Sequence, residues 1–144
     1  MVDVDHFKKF NDRHGHDVGD QVLALVASRL DQVSGGGKAY RYGGEEFTLL
    51  FPGRVKEEAQ PLLEEVRYSV EHARFSLRSW KRPRKKPDDG PAAQDAAASK
   101  TLSVTVSIGM ADTDGKEATP SSILKKADEA LYRAKRKGRN RISK

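Results

Sequence analysis

Hydrophobic and polar residues follow two different periods along the chain, and the two periods predict strands and helices. Apolar residues alternate with polar ones at Met1–Asp5, Lys38–Phe51 and Thr101–Gly109, which is typical of half-buried strands. The middle stretch is interrupted by Gly43 and Gly44, and glycine adopts positive φ angles without steric cost. It therefore predicts a β-hairpin, while Thr101–Gly109 is the clearest single strand.

Four other stretches have apolar residues every three or four positions, which predicts amphipathic helices. The first is short and covers His6–Arg13, with Phe7 and Phe10 one turn apart. A loop at 14–19 separates it from the second helix, for which Asp20 is a plausible N-cap.

The third helix is predicted from Val55 to Leu77, and Pro61 inside this pattern suggests that the true start lies near the proline. The fourth helix is predicted to begin at Thr119, a cap residue followed by a favourable first-turn proline, and to end at Gly138. With a last strand at 141–142, the order of elements suits an antiparallel or mixed sheet with helices packed on one face.

Length and composition limit the class of protein. A single domain spanning 1–144 is expected from the chain length, and no cysteine is present to form disulfides. No long apolar run or signal-peptide pattern occurs, so we expect a cytoplasmic location, although a longer parent protein is compatible with a membrane anchor. Because the chain begins in the middle of a strand pattern, we also expect upstream residues to be missing.

The formal charge of +6 favours anionic partners, but much of it lies in one local run. Residues 78–100 combine Arg, Lys and Pro with Ala, Asp and Gly, a composition that cannot build a core. We predict a flexible basic loop here. The alternative is a contact with a partner, a membrane or nucleic acid.

The tip of the predicted hairpin carries two adjacent acids, Glu45 and Glu46, which need an explanation. Their carboxylates repel each other, and neither helps the turn. From the hairpin alone, a solvated acidic turn and a functional site are equally good interpretations.

The residues around this turn resemble one family. The hairpin segment Gly43-Gly44-Glu45-Glu46-Phe47 resembles the signature of GGDEF-type diguanylate cyclase domains in its GGEEF form. Further blocks resemble the same family in the same order: Asp3-Val4-Asp5-His6-Phe7-Lys8, Asn11-Asp12, Gly15-His16, Gly19-Asp20, the strand 104–109, and the helix 127–135 followed by Gly138-Arg139-Asn140.

The resemblance implies a fold and an activity. The fold would be α/β (α+β), palm-like and ferredoxin-related, with a central, mostly antiparallel sheet and flanking helices similar to class III nucleotide cyclases. The activity would be synthesis of cyclic di-GMP from two GTP molecules by a homodimer. The partners would be a second copy of the domain and an upstream sensory or regulatory domain, with no nucleic acid.

The resemblance also implies the metal and catalytic residues. Asp3, the main-chain carbonyl of Val4 and Glu45 would hold two Mg²⁺ ions, with Mn²⁺ as a substitute. Magnesium prefers such hard oxygen ligands, and two ions stabilise both the attacking and the leaving oxygen. Glu45 or Glu46 would help to deprotonate the ribose 3′-hydroxyl, and the sequence does not decide between them.

The guanine base would be bound by Asn11 and Asp20, with His16 nearby. A carboxylate accepts from the two adjacent guanine donors, and an amide can both donate and accept. Without the resemblance, Asp20 is equally well explained as an N-cap and Asn11 as a helix-end residue. The Gly43-Gly44 turn is included among the predicted substrate-binding residues.

The triphosphate would be bound by cations and by main-chain N–H groups. The amides of Phe7 and Lys8 lie at a predicted helix start, which is a natural anion site. The side chains of Lys8, Lys135 and Arg139 resemble the phosphate clamp of the family. The alternative for Lys135 and Arg139 is a basic helix end that complements the helix dipole.

One motif of the family is missing. Many members carry an Arg-x-x-Asp product-inhibition motif before the hairpin, and those positions hold Ser34 and Gly37 here. We therefore predict no standard inhibitory site.

Two alternative functions remain. A catalytically inactive module that binds GTP or cyclic di-GMP is disfavoured because Asp3, Glu45 and Glu46 are all retained. A nucleic-acid-binding domain driven by the basic loop is weaker still, since Trp80 is the one aromatic residue among those charges.

Overall fold

A five-stranded sheet in the order β2-β3-β1-β6-β7 forms the centre of the fold, and a separate pair β4-β5 lies beside it. The computed structural model describes residues 1–76, 101–113 and 118–144, so the predicted basic loop lies outside the described residues. The strands are β1 Val2–Val4, β2 Lys38–Gly43, β3 Glu46–Leu50, β4 Phe75–Ser76, β5 Thr101–Leu102, β6 Val106–Gly109 and β7 Ile142–Ser143. The helices are α1 Phe7–His14, α2 His16–Asp31, α3 Lys56–Glu71 and α4 Pro120–Arg136.

Strand β1 occupies the middle of the sheet and pairs antiparallel with both β3 and β6. Asp3 lies opposite Glu46 on one side and opposite Ser107 on the other. The last strand, β7, pairs with β6 in parallel. The sheet is therefore mixed but mostly antiparallel, and it places the β2–β3 turn beside the carboxyl end of β1.

Helices pack on both faces of this sheet. Side chains of successive strand residues point to opposite faces. Val2, Val4 and the equivalent residues of β6 join α2 and α3 in the main core cluster, whereas Met1 packs with Ala127 and Leu131 of α4. The prediction of helices on one face was therefore wrong, while the mixed sheet with flanking helices is confirmed.

Helix α4 lies unusually close to β6. A Cβ atom on Gly109 would collide with the main chain of α4 at Ala127 and Leu131. Only glycine fits at this position, and the close approach fixes the height of α4 above the sheet. The carboxyl-terminal turn of α4 is thereby held over β1.

The boundary between α1 and α2 differs from the prediction. Gly15, with φ 86°, is the single residue between the two helices, and α2 already begins at His16. The predicted loop at 14–19 is therefore wrong, and Asp20 lies inside α2 rather than at its N-cap. One glycine with a positive φ angle is enough to change the direction of the chain.

Helix α3 is shorter than predicted and begins earlier than its proline suggested. It starts at Lys56, where the Val55 N–H donates to Glu58 Oε2 at 3.3 Å, and Pro61 lies within the second turn. It ends at Glu71, because the next apolar residues belong to β4, which pairs with β5. The predicted helix over Val55–Leu77 thus combined a helix and a strand.

The predicted strand Thr101–Gly109 is divided between two sheets. Its first two residues form β5, and Val106–Gly109 form β6, whose four residues are all buried. Between them, 103–105 are not in a strand. Alternation of polar and apolar residues did not indicate this break, because β6 is covered on both faces.

Other predictions are confirmed. The hairpin, β1 and a short final strand are present, and Thr119 Oγ1 caps α4 by accepting from the Ser122 N–H at 3.2 Å. In the described ranges, we find no helix with the length and apolar character needed to cross a bilayer.

Candidate active site

A buried carboxylate at the centre of the sheet is the first feature of the site. The Asp3 side chain points to the face that α4 covers, and the residue is only 5% exposed. Lys135, in the last turn of α4, places its Nζ 2.7 Å from Asp3 Oδ2. The close packing of α4 on the sheet therefore brings a cation onto this carboxylate.

A second carboxylate, Glu45, lies beside Asp3. Its carbonyl oxygen accepts from the Val4 N–H at 3.3 Å, which ties the hairpin tip to the end of β1. Partial burial, and then the negative charge of Asp3, raise the pKa of Glu45, while Lys135 opposes this shift. The negative charge of Asp3 therefore reaches the Glu45 carboxyl.

The pKa of Asp3 is also raised, mainly by burial. The hydrogen bond and charge of Lys135 oppose the shift, and the charge of Arg139 opposes it more weakly. The charges of Lys135 and Arg139, which are far from Asp3 in the sequence, thus act on this carboxyl at the end of the central strand.

The hairpin turn that carries Glu45 is locked by an arginine. Gly44 has φ 49°, and the pairing of β2 with β3 is irregular between Arg41 and Gly43. The Arg41 guanidinium donates to the Gly44 carbonyl from Nε at 3.1 Å and from Nη2 at 2.8 Å. Sequence reasoning missed Arg41, although its position within the motif was a usable signal.

Glu46 lies on the same face of the sheet as Asp3, because residues directly opposite in an antiparallel pair share a face. It lines a groove of about 570 Å³ together with Tyr42, Lys125 and Asp128. Its surroundings therefore differ from those of Glu45, which interacts with Asp3 and Lys135.

The amino terminus of α1 follows the end of β1 closely. His6, which precedes the helix, has φ 59°, a left-handed conformation that is uncommon for a residue with a side chain. No side chain in the described ranges caps this end, and its first turn contains no acid. The N–H groups around Phe7 and Lys8 are thus suited to an anion.

The α1–α2 contact holds the predicted base-binding asparagine. A Cβ on Gly19 would collide with the Asn11 amide and lie 3.2 Å from the Phe7 ring. Asn11 Oδ1 is buried and lacks a hydrogen-bond partner within the described part of the chain. A buried unpaired oxygen is unfavourable, so this atom is a candidate for ligand contact.

The other predicted substrate residues are placed at the surface. Lys8, His16 and Asp20 are exposed, and so are both glycines of the turn. Asp20 lines a groove of about 530 Å³ between α2 and the hairpin, together with Tyr40 and Arg41.

A second buried acid, Asp5, was not predicted as part of the site. Its Oδ2 accepts from Thr105 Oγ1 at 2.7 Å and from the Asn140 N–H at 3.0 Å, and its Oδ1 accepts from Ser107 Oγ at 2.7 Å. Its spacing of two residues from Asp3 placed it on the same strand face, which was an available signal.

The site as a whole offers oxygen ligands on one side and cations on the other. Asp3 precedes Val4, and Glu45 is hydrogen-bonded to Val4 through the main chain, while Lys135, Arg139 and the α1 terminus supply positive charge. In the described ranges no group of three or more acidic, histidine or cysteine side chains is positioned to hold a metal ion. Two carboxylates with a main-chain carbonyl nevertheless suit Mg²⁺, which commonly takes further ligands from phosphates.

Comparisons with known proteins agree with this arrangement. The family model "Diguanylate cyclase, GGDEF domain" matches residues 1–85 and 92–141. The chain is 37% identical over 143 residues to the response regulator PleD of Caulobacter vibrioides and, over the same length, 37% identical to diguanylate cyclase DgcM of Escherichia coli K12. Both matches span 99% of this chain, but they span only 28% of PleD and 29% of DgcM.

A solved structure shows a similar fold. The GGDEF domain of DgcB from Caulobacter crescentus, in complex with c-di-GMP, is 35% identical to the chain, with a TM-score of 0.78. The match covers 99% of this chain and 73% of that one.

Proposed function

The chain belongs to the GGDEF family of diguanylate cyclase domains, and from this premise we propose that it condenses two GTP molecules into cyclic di-GMP and releases pyrophosphate. The observation that carries the proposal is the meeting of Asp3, Glu45 and Lys135. Two acids with raised pKa values beside a lysine are suited to divalent cations and phosphate. We further propose that 1–144 acts as one catalytic domain.

The residues present fit a divalent metal. Asp3 already carries one positive group, the Lys135 ammonium at 2.7 Å, so its buried carboxylate is a cation site. Bound magnesium, two ions in our proposal, would polarise the phosphates and lower the charge repulsion between the acids. Asp3, Glu45 and the Val4 carbonyl are the proposed ligands.

The triphosphate is proposed to lie between α1 and the end of α4. The N–H groups of Phe7 and Lys8 and the Lys8 side chain would bind it from one side. Lys135 and Arg139 would bind it from the other side and neutralise charge that develops during the reaction.

The guanine is proposed to contact Asn11 and Asp20, with His16 at the edge of the site. The support for Asn11 is its buried and unpaired Oδ1, which a guanine N–H donor would satisfy. The glycines at 43 and 44 allow the main chain of the turn to approach the nucleotide.

In the reaction, the ribose 3′-oxygen of one GTP attacks the α-phosphate of the other. The new P–O bond forms as the bond to pyrophosphate breaks, and two such steps close the ring. The hydroxyl proton passes to Glu45 or Glu46, and separate glutamine substitutions distinguish the two. One domain holds one GTP in this scheme, so catalysis requires two copies face to face.

The proposal is tested by incubating the chain with GTP and magnesium and separating the products by chromatography. We expect cyclic di-GMP from the unmodified chain, with a specific activity that rises with protein concentration. Glu45→Ala should lower the rate by about 100-fold or more, because it removes charge at the reacting phosphate. The matched control is Glu65→Ala, which removes an exposed acid of α3.

Equal activity in Glu45→Ala, or no product from concentrated unmodified chain, would contradict the proposal. GTP binding without turnover would instead support the inactive binding module. The absence of a standard inhibitory site at Ser34 and Gly37 stays a prediction, and titration with cyclic di-GMP tests it.

A further inference from the structure

A closed ring of hydrogen bonds joins α3 to the loop after α4. Arg67 Nη1 donates to Asn140 Oδ1 and to Glu71 Oε2, both at 2.8 Å. Asn140 Nδ2 in turn donates to Glu71 Oε1 at 2.8 Å. Arg67 Nε also donates to Glu64 Oε2 at 2.8 Å. Each polar atom of the Asn140 amide therefore has a specific partner.

The main chain of the same asparagine is tied to the centre of the sheet. Its N–H donates to Asp5 Oδ2, and Asp5 is held in turn by hydroxyls of Thr105 and Ser107. Asn140 thus connects α3, β1 and the residues leading into β6. It is adjacent in sequence to Arg139, a proposed phosphate ligand.

The backbone at this point is strained. Arg139 has φ 60° and Asn140 has φ 47°, so two consecutive residues with side chains are left-handed. Asparagine tolerates this conformation better than other non-glycine residues, whereas arginine does not. Such conformations persist where the surroundings determine them strongly, and they often occur at functional sites. The ring and the Asp5 contact hold Asn140 in this conformation, and main-chain bonds of Arg139 add to them.

The position of Arg139 relative to the site depends on that backbone. Its N–H donates to the Ala134 carbonyl at 3.1 Å, which closes the end of α4, and its charge acts on the Asp3 carboxyl. A relaxed loop would release the guanidinium from this position.

We propose that Asn140 is a positioning residue that holds Arg139 against the triphosphate, with Arg67 and Glu71 fixing its orientation. The inference rests on the proposed function, because it assigns Arg139 to the phosphates. It adds a role for α3, which lies outside the predicted site.

The first test measures binding by calorimetry with magnesium. The probes are guanosine 5′-(α,β-methylene)triphosphate, which resists the reaction, and GMP, which lacks the two outer phosphates. Asn140→Ala should lower the affinity for the triphosphate analogue by about tenfold, as is typical when a residue that orients a ligand-binding group is removed. GMP binding should change by less than about twofold, since GMP lacks most of the triphosphate that Arg139 is proposed to bind.

A double-mutant cycle asks whether Asn140 acts through Arg139. Arg139→Ala alone should lower the affinity for the triphosphate analogue. Adding Asn140→Ala to it should then lower the affinity little further. The proposal would be overturned if the two variants lowered the affinity additively. It would also be overturned if Asn140→Ala lowered the affinities for GMP and for the triphosphate analogue equally.

A swap of the two side-chain types gives a variant that keeps the ring. Asn140→Asp places a carboxylate against the Glu71 carboxylate. Glu71→Gln places an amide donor against a donor of either Arg67 or Asn140. Each single change should therefore lower the affinity for the triphosphate analogue. The double variant exchanges amide and carboxylate across the contact and retains every donor–acceptor pair and the total charge. Triphosphate affinity should return to within about twofold of the unmodified chain.

Failure of the double variant to recover, while its thermal unfolding temperature matches that of the unmodified chain, would also overturn the proposal. If the unmodified chain binds the triphosphate but makes no cyclic di-GMP, the proposed function fails, yet these binding comparisons still decide the role of Asn140. If it binds no triphosphate at all, both proposals fall.

Discussion

Two aspartates on one strand end, Asp3 and Asp5, have the same burial but different surroundings. They are 5% and 6% exposed, respectively. Asp5 accepts from two hydroxyls and one main-chain N–H. In the described part of the chain, Asp3 has the single side-chain partner Lys135, which is itself a partly exposed cation.

The difference separates the part of the molecule that holds the fold from the part that carries the chemistry. Every acceptor oxygen of Asp5 is occupied, so its region is rigid and has little capacity for ligands. Asp3 keeps a desolvated charge that the Lys135 ammonium and, more weakly, the charge of Arg139 compensate. A carboxylate in this state is unfavourable for the fold and favourable for a metal or phosphate partner.

The largest expected effect is on activity when Asp3 is neutralised. Asp3→Asn keeps the side-chain volume and removes the charge, so metal binding and cyclic di-GMP formation should fall by about 100-fold or more. The fold should remain, because among the described residues the side-chain contact of this carboxylate is the single ion pair with Lys135. Initial rates and circular dichroism measure the two properties on the same sample.

The control for this change is the exposed acid Glu65 in α3, replaced by Gln. It alters the net charge equally and should leave the rate within about twofold, since α3 packs on the face of the sheet opposite Asp3 and an exposed charge there is largely screened. Loss of folded structure in Asp3→Asn would remove the contrast with Asp5.

A second prediction concerns stability, for which changing Asp5 should have a larger effect than changing Asp3. Asp5→Ala leaves two hydroxyls and the Asn140 N–H without their acceptor, which should lower the free energy of unfolding by about 2–4 kcal/mol. Asp3→Asn should lower it by less than about 1 kcal/mol, or raise it. Urea unfolding with unchanged m-values measures both.

Equal losses of stability in the two variants would show that Asp3 is as structural as Asp5. Activity of Asp5→Ala should be compared only at temperatures where it is fully folded. Any remaining defect then reflects the displaced Asn140.

Much of the fold was predictable because local patterns specify local structure. The hairpin follows from alternating residues around two glycines, and α4 follows from a threonine–proline start and a glycine stop. The division of Thr101–Gly109 was not predictable, since pairing with β4 or with β1 depends on partners distant in sequence. The early start of α2 was missed because Gly15 and Gly19 suggested a loop and Asp20 is a favourable N-cap residue.

The candidate site shows the same limit. Asp3 and Glu45 were expected to be neighbours, and the pairing of β1 with β3, together with the Val4 N–H bond to the Glu45 carbonyl, brings them together. The contact of Arg67 with Asn140 joins positions 73 residues apart and leaves no periodic signal. Polar networks of this kind depend on where helices cross, which the amino-acid pattern along one helix does not contain.

The smallest expected effect is the pH dependence of stability without magnesium. Burial raises the pKa values of Asp3 and Glu45 above their ordinary values of 3.8 and 4.5. An acid with a raised pKa binds its proton more tightly in the folded state. The free energy of unfolding should therefore fall as the pH rises from these ordinary values through the raised ones.

This dependence is what distinguishes the Asp3 region from a fully satisfied one, and it should be smaller than the loss of stability expected for Asp5→Ala. Urea unfolding over a pH series, in EDTA and in excess magnesium, measures it. Magnesium should remove the fall, because a metal that binds the ionised carboxylates stabilises the folded chain. Asp3→Asn should reduce the fall in EDTA and abolish much of the magnesium effect. If the free energy of unfolding fell equally in the unmodified and Asp3→Asn chains, other acids would cause the pH dependence. Lys135 alone would then be enough to compensate the Asp3 charge.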